Sequence, residues 1–226
     1  MSAATDSALV GVLALVLAPL ASAADWPEVP SPEASRTEWV SRHMIYNGVH
    51  MRSARFTTTS TPDEVEAFYK RQWNGEVIRN RLGHKTILGH PTGRHYITVD
   101  LEASGGGTEG TIGIVDMKAP PSRLPLGHGL ARPANSQVIN DIRYLDEDSP
   151  ARTVLLHNTL SPWSNRSFYF RRLVAEGWRH DGGGTCQAAS DSCVAQFTRP
   201  GAQLSLTFSR VPRGSGTAVM ANQVDE

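Results

Sequence analysis

An α+β fold is predicted, built from two tandem repeats, each an antiparallel sheet of about five strands in β-β-α-β-β-β order with one helix on one face. Three observations predict it. First, Thr61-Pro62, Phe68-Tyr69 and Arg71 return as Ser161-Pro162, Phe168-Tyr169 and Arg171, all at the offset that separates 61 from 161. Pro32 and Ser35 match Pro133 and Ser136 at nearly that spacing, and so do Gly110-Thr111 and Gly216-Thr217; self-similarity at a fixed spacing marks a duplication. Second, several segments alternate apolar and polar residues with period two, the mark of strands with one wet face. Third, each copy holds one segment with apolar residues at helical spacing behind a Ser/Thr-Pro start.

Residues 1–23 read as a cleavable signal peptide. The apolar run 8–20 has the length of a secretory core, and Ala21-Ser22-Ala23 offers the small residues that signal peptidase accepts, which places cleavage near Ala23. No Lys or Arg precedes the run and Asp6 stands where a cation is usual, so retention as an anchor is the competing reading. The run is too short to cross a bilayer, which takes about 20 apolar residues. The expected mature form does not span the membrane and is periplasmic or secreted. Residues 24–36, rich in Pro, read as an extended arm.

The first repeat is expected over 37–118. Segments 37–46 and 49–58 are strands joined by Asn47-Gly48, a strong hairpin signal. Thr61 as N-cap, Pro62 in the first turn and Glu64 three residues after the cap start a helix. Val65, Phe68 and Tyr69 form its apolar stripe, and Gly75 ends it. Three further strands are expected, over 77–82 continuing toward 88, 94–103 and 111–117, with turns at Pro91-Thr92-Gly93 and Gly105-Gly106-Gly107.

A linker follows at 119–133, where four Pro and two Gly discourage regular structure. The second repeat, 134–226, is read as strands over 138–144 and 153–158 around the acidic turn 146–150. A helix from the Ser161-Pro162 start to about 176 comes next, then Gly177 and a strand opening at Trp178. Leu204, Leu206 and Phe208 alternate with polar residues, and a strand over 217–222 closes the module. Cys186 and Cys193 are read as a disulfide across a hairpin with its turn at Ser190-Asp191, since a close pair in an exported chain is commonly bridged. Free thiols and a redox pair are the competing readings; the C-x-x-C spacing of the latter is absent.

Composition and motifs narrow the function. The chain carries 22 Lys+Arg and 22 Asp+Glu, so the strongly basic surface that nucleic acid requires is not expected. His84, His90 and His95 fall close together, but no carboxylate or Cys shares their spacing and H-E-x-x-H is missing, so they are read as ordinary surface histidines and not as metal ligands. No G-x-S-x-G or S-x-x-K is found, and the glycine runs at 105–107 and 182–184 lie between strands, unlike a phosphate loop. No catalytic, cofactor-binding or metal residue is assigned. Asp100 and Glu102 are read as solvated side chains on the wet face of a strand, and Trp39, Trp73, Trp163 and Trp178 as buried in the core or between the repeats. Arg166, Arg171, Arg172 and Arg179, on and just beyond the second helix, are the candidate residues for anion or partner binding.

A signal peptide followed by a duplicated sheet-plus-helix module, with Ser/Thr-Pro at the helix start and Phe-Tyr inside it, is similar in style to small envelope proteins of Gram-negative bacteria. No named family is matched residue by residue. The expected function is a non-enzymatic periplasmic binding or adaptor protein that meets an envelope protein partner, an accessory of an assembly or secretion system, with sheet edges that could accept a partner strand. The alternatives are a small-molecule or lipid carrier binding between the repeats, through Arg171, Arg172 and Trp178, and thirdly a hydrolase with no recognisable motif.

Overall fold

The computed structural model describes residues 26–146, 149–212 and 214–225. The signal-peptide reading of 1–23 lies outside the described residues, as do 147–148 of the acidic turn.

Local signals set the first elements. Asn47 and Gly48 take positive φ (48° and 87°), the geometry of a two-residue turn that matches strand twist, and they join β1 (Ser35–Tyr46) to β2 (Val49–Thr58). Helix α1 (Pro62–Gln72) begins with a reciprocal capping box: Glu64 N–H donates to Thr61 Oγ1, and Thr61 N–H to Glu64 Oε2 at 2.8 Å. Then come β3 (Ile78–Leu82), β4 (Lys85–Thr92), β5 (His95–Ser104) and β6 (Gly107–Asp116). The expected single strand running from 77 toward 88 is two, folded at Gly83-His84. β3 is exposed at every position, so no alternation announced it. Pro91 and Thr92 belong to β4, and the turn is at Gly93-Arg94.

Residues 117–136 hold no helix or strand. Beyond them lie β7 (Gln137–Tyr144), β8 (Ala151–Asn158), α2 (Pro162–Ala175), β9 (Arg179–Gly182), β10 (Ser192–Arg199), β11 (Ala202–Arg210) and β12 (Thr217–Asp225). Ser161 caps α2 by accepting from Ser164 N–H at 3.1 Å.

The fold class differs from the expected pair of α+β repeats with a sheet each. The chain is mostly β: one antiparallel sheet of 12 strands in the order β3-β4-β5-β6-β2-β1-β7-β8-β12-β11-β10-β9, carrying two helices. The physical reason is that β1 and β7 pair directly, Met44 with Tyr144, Ile45 with Arg143 and Tyr46 with Ile142. Hydrogen bonding thereby continues through the middle and leaves only β3 and β9 at the ends. Alternation tells which face of a strand is wet, not which strand lies beside it.

Register places both helices on the same face. Phe56, Ala54, Arg52 and His50 alternate along β2, His50 pairs with Ile45, Ile45 with Arg143, and Arg143 shares its face with Asp141, the partner of Val154. Val154 lies in the core under α2 with Tyr169, Leu173 and Phe208, while Phe56 lies under α1 with Val65, Tyr69 and Trp73. Gly110 is required beneath the Phe56 ring, because a Cβ there would come 2.2 Å from it. Trp73 and Trp178 are buried as expected, but Trp39 and Trp163 are 40% and 45% exposed.

The disulfide pair is close, with Cα atoms 5.3 Å apart, but its setting differs from a cross-strand bridge. Cys193 lies in β10 and Cys186 in the loop before it. The turn is at Ala188-Ala189, closed by Ser190 N–H to Gln187 O. Asp191 is unavailable for a turn because Arg210 holds both its carbonyl and its carboxylate.

The segment between the two halves is strapped to the sheet by two aspartates. Asp116 takes a two-pronged contact from Arg94 and the N–H groups of Lys118 and Ala119. Asp141 takes Arg152 at 2.8 and 2.6 Å and Gly127 N–H at 2.7 Å. Burial alone would raise the Asp141 carboxyl, but the Arg152 guanidinium and Gly127 N–H outweigh it and hold the carboxyl below the usual aspartate range. A depressed carboxyl contributes stability above its unfolded pKa of about 3.9 and loses it as pH falls through the folded value. Asp141→Asn is therefore expected to destabilise the protein by about 3 kcal/mol at pH 7. In urea unfolding the gap from wild type should shrink below about pH 4.

Candidate functional site

The face opposite the helices is uncovered, and its register arranges two rows of charge. Ile87, Asp100, Thr111, Arg55 and Glu38 face one another in sequence across β4, β5, β6, β2 and β1; beside them run Glu102, Glu109, Thr57 and Arg36. Lys85 continues the second row from β4. All of these but Ile87 line a groove of about 750 Å³, with Trp39 and Val40 at its β1 side. The carboxylates of Asp100, Glu102 and Glu109 collect over β5 and β6, and the guanidinium groups of Arg36 and Arg55 stand over β1 and β2, where Glu38 pairs with Arg36 at 2.7 Å; Thr57 and Thr111 lie between.

The acidic side carries a local conflict. Glu102 and Glu109 are directly opposed, an arrangement that costs stability. Each carboxylate is steadied from elsewhere: Glu102 by Lys85 Nζ at 3.3 Å and His84 Nε2 at 2.6 Å, Glu109 by Ser104 Oγ at 2.8 Å. Hydrogen bonds from Lys85 and His84 lower the Glu102 carboxyl, so it is charged at neutral pH. Partial burial raises the Asp100 carboxyl, with Lys85 opposing.

The opposite bank is shaped by an unpaired length of β1. The ladder to β7 covers only Met44 to Tyr46, and β1 is irregular between Trp39 and Met44. Asp146 caps this open edge, accepting from Ser41 Oγ at 2.6 Å and Arg42 N–H at 2.5 Å. Arg42 lies over the Trp39 ring, 4.6 Å from its centroid. Trp39 also borders a groove of about 340 Å³ on the helix side, where Arg52 lies over Trp26 of the N-terminal arm.

The arginines singled out in the sequence are not gathered into one face. Arg166 donates to Val194 O, Arg172 pairs with Glu176, and Arg179 pairs with Asp181. Arg171 is exposed, with no ion pair among the described residues. Positions 166, 171 and 172 point in three directions around a helix of 3.6 residues per turn. Trp178 is buried beneath Arg199. The three histidines separate: His84 meets Glu102, His90 stacks on Trp73 and bonds Glu76 O, and His95 is buried against Trp26. Among the described residues no group of three or more His, Cys, Asp or Glu could hold a metal ion. At the junction of the halves, the cavity lined by Ile45, Leu126 and Arg143 is about 10 Å³, room for no more than a water.

Sequence reading found Asp100 and Glu102 but missed the groove, because Arg36, Arg55 and Glu109 join them only through the pairing of β1, β2 and β6. The alternation of charged residues along each strand was the available signal.

No protein-family model matches the chain, and no curated protein matches it. Among solved structures it is similar to the apo immunity protein TplEi of T6SS from Pseudomonas aeruginosa, with a TM-score of 0.30 and 10% identity, over 87% of this chain and 83% of that one.

Replacing one of the opposed carboxylates should relieve their repulsion. Glu109→Lys is expected to raise stability by about 0.5 kcal/mol, read from the urea midpoint at low salt, and the gain should diminish in high salt.

Proposed function

We propose that this chain is an exported, non-enzymatic binding protein that holds a protein partner in the charged groove of its uncovered face. The observation that carries the reading is the uneven division of charge in the groove: Asp100, Glu102 and Glu109 on β5 and β6 stand across from Arg36 and Arg55 on β1 and β2, with Glu38 paired to Arg36 and Lys85 to Glu102. Such a division orients a partner and speeds its encounter. Trp39, 40% exposed at the β1 side of the groove, is of a side-chain type that often anchors protein interfaces.

The cysteine pair suits an oxidising compartment, and no helix among the described residues is long and apolar enough to cross a membrane. The cysteine pair supports a periplasmic or secreted location. Within the envelope, an accessory role in an assembly or secretion system is the finer part of the proposal; it rests on export together with a binding surface.

A photo-reactive amino acid placed at Thr57 or Thr111, activated in intact cells, should give one protein adduct of defined mass. Placed at Arg171, on the far side of α2, it should not. Arg55→Glu should reduce the adduct at Thr111. Equal labelling from Arg171, or none from the groove, would sink the proposal. A stoichiometric adduct of a few hundred daltons in native mass spectrometry would favour the carrier instead.

A further inference from the structure

The two ends of the sheet are not equivalent. At one end β9 is internally neutralised: Arg179 pairs with Asp181 on the same strand, and Thr198 of β10 bonds both. The chain beyond β9 is tied back by the Cys186–Cys193 bridge. At the other end β3 is exposed throughout, with Ile78 52% and Leu82 68% accessible. These two project on the uncovered face; Arg79 and Arg81 project on the helix face, beside Leu88 and Thr86.

Backbone geometry adds a second asymmetry. Leu82 and Lys85 flank a two-residue turn and form a hydrogen-bonded pair, so the N–H and C=O groups of Leu82, Asn80 and Ile78 point to β4. Those of Arg79 and Arg81 therefore point to the open edge. A second copy of β3 would have to use the same two residues, and every such antiparallel register sets an arginine opposite an arginine, which is unfavourable. The unmatched charge is at Arg81: Glu66 is shared between Arg79 at 2.9 Å and Lys70 at 2.7 Å, with Asp63 also near Arg79, and Arg81 has no ion pair among the described residues.

We propose that β3 is a strand-addition site that rejects its own copy and accepts an extended antiparallel segment of a partner protein reading apolar–acidic–polar–acidic–apolar. The acidic residues lie opposite Arg79 and Arg81, and the apolar ones cover Ile78 and Leu82. Main-chain bonds supply affinity and the alternating side chains supply selectivity. This site is separate from the groove, and its success or failure leaves the groove proposal standing.

The test uses the full chain, with synthetic peptides containing Val-Glu-Thr-Glu-Val or Val-Lys-Thr-Lys-Val and amide hydrogen exchange as the readout. The glutamate peptide at millimolar concentration should slow exchange at Arg79 and Arg81, and the lysine peptide should not. Arg81→Glu should shift the preference toward the lysine peptide by about fivefold or more, the size expected when an exposed ion pair becomes a repulsion. Arg81→Pro removes an outward N–H and should abolish protection at Arg79, while the Asn80 amide, which points to β4, reports that the hairpin persists. Arg55→Glu in the groove should change nothing. Protection by neither peptide, equal protection by both, or protection at Arg79 that survives Arg81→Pro overturns the proposal.

Discussion

Three residue pairs hold the middle of this molecule together. The contact of Met44, Ile45 and Tyr46 with Tyr144, Arg143 and Ile142 is all the ladder that β1 and β7 share, yet it makes one sheet of 12 strands. At about 1 kcal/mol net per hydrogen bond, so short a ladder contributes only a few kcal/mol. Side chains lengthen it. Asp146 accepts from the β1 backbone where β7 has ended, Leu145 N–H reaches His43 O, and Asn47 exchanges bonds with Asp141. Asp141 then carries the load outward to Arg152 and Gly127. A carboxylate here stands in for a missing strand, and the halves stay joined because charged groups complete what the backbone leaves open.

The antiparallel seam also fixes sidedness. Since the register carries one face continuously from Phe56 to Val154, α1 and α2 cover the same side and both cores form there. The other face has no layer to bury it, so apart from the buried Met44 its positions are largely polar or half-exposed. A wet sheet face could be covered in evenly mixed charge. Instead β5 and β6 bring only carboxylates to the groove and β2 an arginine, while on β1 Glu38 pairs with Arg36, and the order of the strands turns single alternating residues into two banks of a groove. The groove is a product of topology more than of any one segment.

That division explains what could be read from the sequence. Features decided within a few residues were legible: the Asn47-Gly48 turn, the Thr61/Glu64 capping box, the Ser161 cap, and the in-out alternation of β5 and β11. Features decided by partners distant in the chain were not. The run toward Leu88 concealed a two-residue turn because β3, at the sheet's end, buries neither face. Trp39 read as a core residue because its size favours burial; the incomplete β1–β7 ladder leaves it at an open edge. Cys186 and Cys193 were close enough in sequence to pair, but the setting of the bridge depended on Arg210 claiming Asp191. Asp100 and Glu102 were correctly placed on a wet face, and nothing local to β5 says that Arg55 and Arg36 stand across from them.

The groove and the β3 edge have one physical trait in common. Each holds like charges near one another: Glu102, with Lys85 and His84 on it, opposite Glu109 on the open face, and Arg79, paired with Glu66, next but one to Arg81 on a fully exposed edge strand. At β9, by contrast, neighbouring opposite charges cancel, so the chain does neutralise an edge elsewhere. Like charges kept on these two surfaces fit the proposal that a second molecule completes the charge balance there. In the groove that molecule must present both signs across the strands. Along β3 it must present carboxylates at alternate positions of an extended chain, and the same arginines that invite it keep two copies of β3 apart.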